Sequence, residues 1–552
     1  MRNQPLEVLF LHTIPWGTRG TGPRGQASRP SIPVSATPYR ADAADVCAPH
    51  NQTGAGSIDY IAERRRHTTK ETGLARDLDI YLAGEWTPGT GDEYREITSP
   101  GSGEHIATVP LASQADIDRA VAAARRAQDA FRHWTAIERA DLLHRVAEAV
   151  AENIDEIARI QTLEQGKPYH EESLADIAEA NQYFLNAAED VKRLTGSVIP
   201  TSDRNKRMFT FHRSVGVWAA ITPWNFPVTI PLEYIGPGLA AGNAIIAKPP
   251  EFTAWGLRKL AEAFDAAGVP KGLVSIIPGG GEIGEALVTH PGIDAIGFTG
   301  SSATGKRILS QMGIKRSVME MSGNGPTIIT EDANLEAAAE LAVFGARYNA
   351  GQVSCATEKV IVLESVHDEF VERALAHAEQ IVLGDPFDEA TTMGPLNNEP
   401  TAHKMDLHVA DARKRGASVL TGGHRASGFP TNLYYEFTMI DAVPEDALVS
   451  REETFGPVLP IVTVRDDEEA IAVTASGDLG LQAAVFTSSI DKAFWYTDRI
   501  RAGTVVINDS TDFWETFQPF GGAAGTASGW GRGTIDDFTD LQTMVIDIGK
   551  AT

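Results

Sequence analysis

From about residue 77 onward the apolar positions fall into regular periods. Ser113 stands before a stripe of Ile117, Val121, Ala124 and Phe131, a spacing that predicts a helix capped by the serine hydroxyl. Leu142, Val146, Val150, Ile154 and Ile157 follow at the same period and predict a second helix. The pattern then changes. Between residues 215 and 312, short β-branched runs at 215–221, 244–247, 274–277 and 295–298 alternate with segments of helix length. Alternation of this kind with short loops predicts an α/β fold, a parallel sheet with helices on both faces. Beyond Glu320 a second unit of the same type extends to about residue 520, with strands expected at 360–363, 458–464, 484–487 and 504–508. A last strand is expected at 540–548, around Met544, Val545 and Ile546.

The first 75 or so residues break the pattern. Residues 1–40 hold five arginines and a single acid, Glu7, among many Gly, Pro, Ser and Thr. The leading expectation for 1–76 is a disordered extension. An organelle transit peptide is the alternative, although Pro and Gly interrupt any amphipathic helix there. Over the whole chain 48 basic residues face 74 acidic ones, a net charge of −26 that argues against nucleic acid or an anionic membrane as partner. No apolar run reaches the ~18 residues of a membrane span. Two cysteines, Cys47 and Cys355, exclude a disulfide framework and a cysteine-rich metal site, and no metal ligand set is assigned. These features predict a soluble, cytoplasmic globular protein.

Candidate chemistry gathers where the predicted strands end, the place where open parallel sheets bind ligands. After the first strand, two prolines brace Thr222-Pro-Trp224-Asn225-Phe-Pro, so the Asn225 amide can point at a developing oxyanion; helix capping is the plainer role. After the second, Lys248 and Glu251 flank two prolines. They suit the two sides of a ribose, and the carboxylate disfavours a 2′-phosphate; a pair of surface charges is the alternative. After the third comes a triple glycine ending at Gly281. After the fourth, Gly300 and Ser301 open a helix whose N–H groups can receive a pyrophosphate. Glu320 is one acid in an apolar run before Ser-Gly-Asn-Gly, a candidate general base or an edge-strand surface group. Asn349-Ala-Gly-Gln-Val-Ser354-Cys355-Ala-Thr-Glu-Lys359 holds the single cysteine of the ordered body.

Taken in order, these motifs resemble the NAD(P)-dependent aldehyde dehydrogenase superfamily over about residues 77–550. Glu453 and Phe455 in Glu-Glu-Thr-Phe-Gly-Pro, and Pro519-Phe-Gly-Gly522, are similar to two further motifs of that family. The resemblance implies a Rossmann-like cofactor domain at 77–196 and 215–321 and a second α/β catalytic domain at 322–520. It also implies a small β oligomerisation element at 197–214 with 521–552, in a homodimer or homotetramer. NAD is the implied cofactor, NADP the alternative, and a small aldehyde the substrate. Asn225 would hold the oxyanion and Glu320 would activate the deacylating water. Lys248 and Glu251 would hold the adenine ribose, Ser301 and Trp224 with Gly300 the pyrophosphate, and Glu453 and Phe455 the nicotinamide end, with Thr222 and Gly281 also among the cofactor-binding residues.

Three departures stand out. The family pattern Asn-x-Gly-Gln-x-Cys-x-Ala-x-x-basic aligns here without a gap and places Ser354, not Cys355, at the nucleophile position. Three readings follow: a replaced nucleophile, engineered or natural, with the cofactor site intact; a shifted loop that lets Cys355 attack; or a serine that attacks slowly. A cofactor-binding pseudoenzyme and a cofactor-free esterase using Ser354 with Glu320 are the rival functions. Tyr234 stands where many relatives carry lysine. Glu233 stands where dehydrogenases of acid semialdehydes tend to carry arginine, which points to neutral aldehydes.

Overall fold

The structure, a computed structural model, describes residues 76–519, 521–528 and 535–549. The expected extension at 1–76, with Cys47 and its transit-peptide alternative, lies outside the described residues save for Arg76. So do Phe520 and residues 529–532 of the late glycine stretch.

Five parallel strands form the centre of the first sheet. Across the sheet they run Val274–Ile276, Ala244–Lys248, Val217–Ile221, Ala295–Thr299, Arg316–Glu320. In chain order this is three-two-one-four-five, so the winding reverses between the first and fourth strands, and the crevice at their carboxyl ends is the ligand position of a Rossmann-like sheet. Every residue of Val217–Ile221, Ala244–Lys248 and Ala295–Thr299 is buried. Helices on both faces leave no solvated side, which is why these strands read as unbroken apolar runs. A hairpin of Ile80–Leu82 and Glu85–Thr87 extends one edge, and Ala527–Ser528 lies antiparallel along Arg316–Glu320 at the other.

The second sheet has seven strands in the order Ser418–Thr421, Thr438–Asp441, Val458–Val464, Lys359–Leu363, Pro326–Ile329, Gln482–Phe486, Thr504–Ile507. All are parallel except the first, which pairs antiparallel with its neighbour. In a third, small sheet the nine residues of Thr539–Asp547 pair antiparallel with Lys206–Ser214. Leu541, Met544, Val545 and Ile546 of that last strand are exposed. Among the described residues no helix is long and apolar enough to cross a membrane.

The capped helix is Gln114–Phe131, with the Ser113 hydroxyl accepting from the Asp116 N–H and Asp116 returning the bond as a capping box. The second expected helix is two, Ala136–Ala151 and Ile154–Gln165. At the break Asn153 takes φ −120° and ψ 7°, and its Nδ2 donates to the Ala149 carbonyl at 2.8 Å, competing with the helical ladder. The first parallel strand starts at Val217 rather than 215, because Gly216 lies at φ +139° and gives its N–H to the Asn243 side chain. Lys248 closes its strand instead of following it.

Candidate active site

The site is organised by a strained loop. After the helix Leu335–Arg347, Asn349, Ala350 and Gly351 take φ of 50°, 52° and 70° in succession. Two of these carry a Cβ, and the left-handed region costs such residues roughly 1–2 kcal/mol each. Hydrogen bonds from four other segments hold the geometry. Gln165 Nε2 donates to Asn349 Oδ1 at 2.9 Å, and Asn349 Nδ2 donates to the Asn225 carbonyl at 3.0 Å. The Asn349 N–H reaches the Glu172 carboxylate at 3.1 Å, and the Asn397 N–H reaches Gln352 Oε1 at 2.8 Å. Burial raises the Glu172 carboxyl to about 7. The Asn and Gln of the motif are therefore scaffold residues that fix where the next side chains point.

What they fix is Ser354. Its Oγ donates to Glu320 Oε1 at 2.8 Å, and Glu320, the last residue of Arg316–Glu320, is buried. The strand exit passes close beneath the loop: a Cβ at Gly323 would fall 1.9 Å from the Ser354 carbonyl oxygen, so the glycine of the Ser-Gly-Asn-Gly run is required by that approach. Asn225 is buried beside them, its Nδ2 donating to the Gln352 carbonyl at 3.0 Å with a second N–H left to give. Cys355 is also buried, packed with Val353, Ala356 and Leu481.

Two cavities meet at this trio. One, of about 310 Å³, is lined by Trp224, Gly300, Ser301, Glu453, Phe455 and Lys404; the other, of about 380 Å³, by Phe226, Tyr348, Cys355 and Trp514. Ser354, Glu320 and Asn225 line both. Cys355 borders only the second.

The first cavity has the features of a dinucleotide site. The helix Ser302–Gln311 opens onto it with Ser301 as N-cap and Gly300 before it, where a Cβ would lie 2.8 Å from the Phe298 ring. Trp224 and Phe455 meet edge to face at 5.5 Å. Phe455 sits at φ +61°, and the Thr454 and Phe455 N–H groups both donate to Glu358, at 2.7 and 2.6 Å. Burial, reinforced by Glu453, raises the Glu358 carboxyl to about 8. Burial also raises Glu453, whose Oε1 accepts from the Gly323 N–H at 3.1 Å.

The remaining expected cofactor residues form a group at the neighbouring strand ends and do not line that cavity. The Thr222 side chain is buried and its N–H donates to the Lys248 carbonyl at 3.3 Å. Lys248 Nζ donates to the Gly279 carbonyl at 2.6 Å, tying the second strand to the loop before Gly281, and burial lowers it to about 8. Gly281 is the first residue of the helix Gly281–Thr289. Glu251 faces Arg95 at 3.5 Å.

Sequence reasoning missed Lys404, Glu358 and Arg95. Lys404 lies one turn into the helix Glu399–Lys414, whose Asn398 cap and Pro400 are a legible helix start. Glu358 occupies an unspecified position of the loop motif, and Arg95 is remote in sequence, so neither carried a signal. Tyr234 is buried over Gly297, and its hydroxyl lies 2.8 Å from Oγ1 of Thr299, a residue that lines the first cavity. Lys359, the basic end of the motif, donates to the Ser450 carbonyl at 3.0 Å and ties strand to loop.

Residues 86–544 match the aldehyde dehydrogenase family. A glutarate-semialdehyde dehydrogenase of Pseudomonas aeruginosa is 35% identical over 475 residues, covering 84% of this chain and 97% of that protein. The chain belongs to the aldehyde dehydrogenase family. An NADP(+) succinate-semialdehyde dehydrogenase of Escherichia coli is likewise 35% identical, over 85% of this chain and 97% of its own. The crystal structure of a succinate-semialdehyde dehydrogenase from Burkholderia pseudomallei superposes with a TM-score of 0.83 at 35% identity, covering 87% of this chain and 99% of that one. This family member is an α/β oxidoreductase of the NAD(P)-dependent aldehyde dehydrogenase class.

Proposed function

We propose that the chain oxidises an aldehyde to a carboxylic acid with NAD, using Ser354 where the family pattern has cysteine. The observation that supports this most directly is the Ser354 Oγ to Glu320 Oε1 contact of 2.8 Å at the wall shared by both cavities. Ser354 attacks the carbonyl carbon while its proton passes to Glu320. The Asn225 amide donates its remaining N–H to the oxygen that becomes negative in the hemiacetal. Gly300, Ser301 and Trp224 would hold the pyrophosphate of the dinucleotide, Lys248 and Glu251 its adenine ribose, and Glu453 and Phe455 the nicotinamide end. When bound, the nicotinamide supplies a hydride acceptor. Glu320, its first proton lost to solvent, then takes a proton from the water that hydrolyses the resulting ester and returns it to the departing Ser354 oxygen.

Glu251 supports NAD over NADP, since a carboxylate accepts from ribose hydroxyls and repels a 2′-phosphate. The cofactor part is 77–196 with 215–321, the catalytic part 322–520, and 197–214 with 521–552 the oligomerisation element of a cytoplasmic homodimer or homotetramer. The exposed apolar side chains of Thr539–Asp547 support that last assignment. A second reading, a cofactor-binding protein without turnover, rests on the absence of a thiol at 354. Single-turnover mixing with NAD and an aldehyde panel separates the two. A burst of NADH fluorescence is expected; tight NAD binding with no burst for any aldehyde would favour the second reading.

A further inference from the structure

The cavity on the far side of Ser354 from the dinucleotide site is strongly one-sided in charge. Besides Glu320, its wall includes Glu171, Asp176, Glu179, Glu233 and Asp512, and among the described residues it includes no Lys, Arg or His. Two of these acids are neutralised from behind: Arg347 lies 2.9 Å from Glu171, and Lys167 lies 2.8 Å from Asp176. Glu179 and Asp512 have no ion-pair partner among the described residues, while Glu233 is met by the Tyr183 hydroxyl at 3.2 Å.

The rest of the wall is aromatic: Phe226, Phe344, Tyr348 and Trp514. Phe344 and Tyr348 stack at 5.8 Å, and Trp514 Nε1 donates to the Tyr183 hydroxyl at 3.1 Å, which anchors the indole to the same hydroxyl that serves Glu233. Ring faces are electron-rich, so carboxylates and rings together attract one kind of group, an organic cation. The protein already seats an ammonium in this way next door. Lys167 Nζ sits 3.6 Å over the Phe226 ring while paired with Asp176.

We propose that this cavity takes the tail of a cationic aldehyde, an ω-ammonium or ω-trimethylammonium aldehyde whose carbonyl reaches Ser354 while its charge lies among Glu179, Asp512 and the rings. The proposal deepens the aldehyde-oxidising reading above and rests on it. It replaces the neutral aldehyde expected from Glu233 alone, because the like-charge argument that excludes a carboxylate tail applies to the whole wall. Burial raises the Glu179 carboxyl to about 7, and an adjacent cation would favour its ionised form.

Two measurements test it. The first titrates the full chain calorimetrically with butyltrimethylammonium and with butyrate, neither of which reacts. Binding of the cation and none of the anion is expected; equal binding, preference for butyrate, or binding of neither overturns the proposal. The second compares kcat/KM of the Ser354→Cys form for 4-trimethylammoniobutanal, pentanal and succinate semialdehyde. The cationic aldehyde should lead pentanal by at least ~10-fold, the scale of one desolvated cation–π contact, and succinate semialdehyde by more. Glu179→Gln and Asp512→Asn should each narrow the ratio, and Glu179→Asp should restore much of it. A flat or inverted ratio with active enzyme overturns the cationic tail and leaves aldehyde oxidation standing. Binding of butyltrimethylammonium with no aldehyde oxidised by any form does the reverse.

Discussion

Replacing Ser354 by cysteine changes the attacking group while leaving its surroundings in place. At about pH 7.5 a thiol with an ordinary pKa of ~8.5 is roughly one-tenth thiolate. A hydroxyl with a pKa near that of water, ~15.7, is alkoxide to about one part in 10⁸. The alkoxide is intrinsically the better nucleophile, by roughly 10³ for a Brønsted slope of ~0.4–0.5 over ~7 units. The thiolate therefore leads by about 10⁴ before any base assists. Glu320 assists the serine from 2.8 Å. General bases contribute about 10² to 10⁴, and a carboxylate, far weaker as a base than an alkoxide, belongs at the lower end. The net expectation is a gain of about 10² in kcat/KM for Ser354→Cys. Initial rates of NADH formation over an aldehyde panel measure it, with Glu320→Gln made in both backgrounds. In the serine form Glu320→Gln should lower kcat/KM by about 10². In the cysteine form it should spare the first-turnover burst and slow the steady state, since there the base acts mainly on water. Equal kcat/KM for the serine and cysteine forms would refute the reasoning.

Asn225→Ala should lower kcat by about 10²- to 10³-fold, the usual effect of removing an oxyanion donor, with KM changed much less, as read from saturation curves. Glu251→Ala should raise the ratio of NADP to NAD turnover by removing the carboxylate that repels a 2′-phosphate, checked by kcat/KM for each dinucleotide. Stability should fall as pH rises from about 5 to 8. Glu164 and Glu358 are raised by burial to about 8, and Glu172 to about 7, so the folded chain holds more protons than the unfolded one in that window. Urea melts across the range would show the decline, and Glu358→Gln should flatten it. Lys248 and Lys359, both lowered by burial to about 8, act with the opposite sign and only above that pH.

The alternation of short apolar runs with helix-length segments was enough to place eight of the parallel strands, because strands buried on both faces are apolar throughout, but it left Arg316–Glu320, Pro326–Ile329 and Thr438–Asp441 unread. The helix break at Asn153 was not legible, since the apolar period continues through it while a side chain takes the Ala149 carbonyl. At the site, the strand ends carried the signal for Asn225, Ser301 and Glu320. Ser354, which aligns with the nucleophile position, contacts Glu320, and Cys355 borders only the second cavity. What the sequence could not convey was the second cavity. Its acids come from 171–179, 233 and 512, stretches that only the folded chain brings to one wall. Glu358 was hidden for a related reason: its role depends on two amides about 97 residues further on.

The loop at Asn349 also bears on how the molecule assembles in time. Its hydrogen bonds to residues 165, 172 and 225 span separations of 184, 177 and 124 residues. A left-handed run that is unfavourable by itself, and that leans on such distant partners besides the bonds within 349–352, forms late, because long loop closures must precede those contacts. The loop that carries Ser354 is thus a keystone, set after both sheets have folded and met. On refolding, recovery of activity should trail the return of helical circular dichroism. In the native state the Asn349 amide should exchange with solvent only through the opening of the whole assembly.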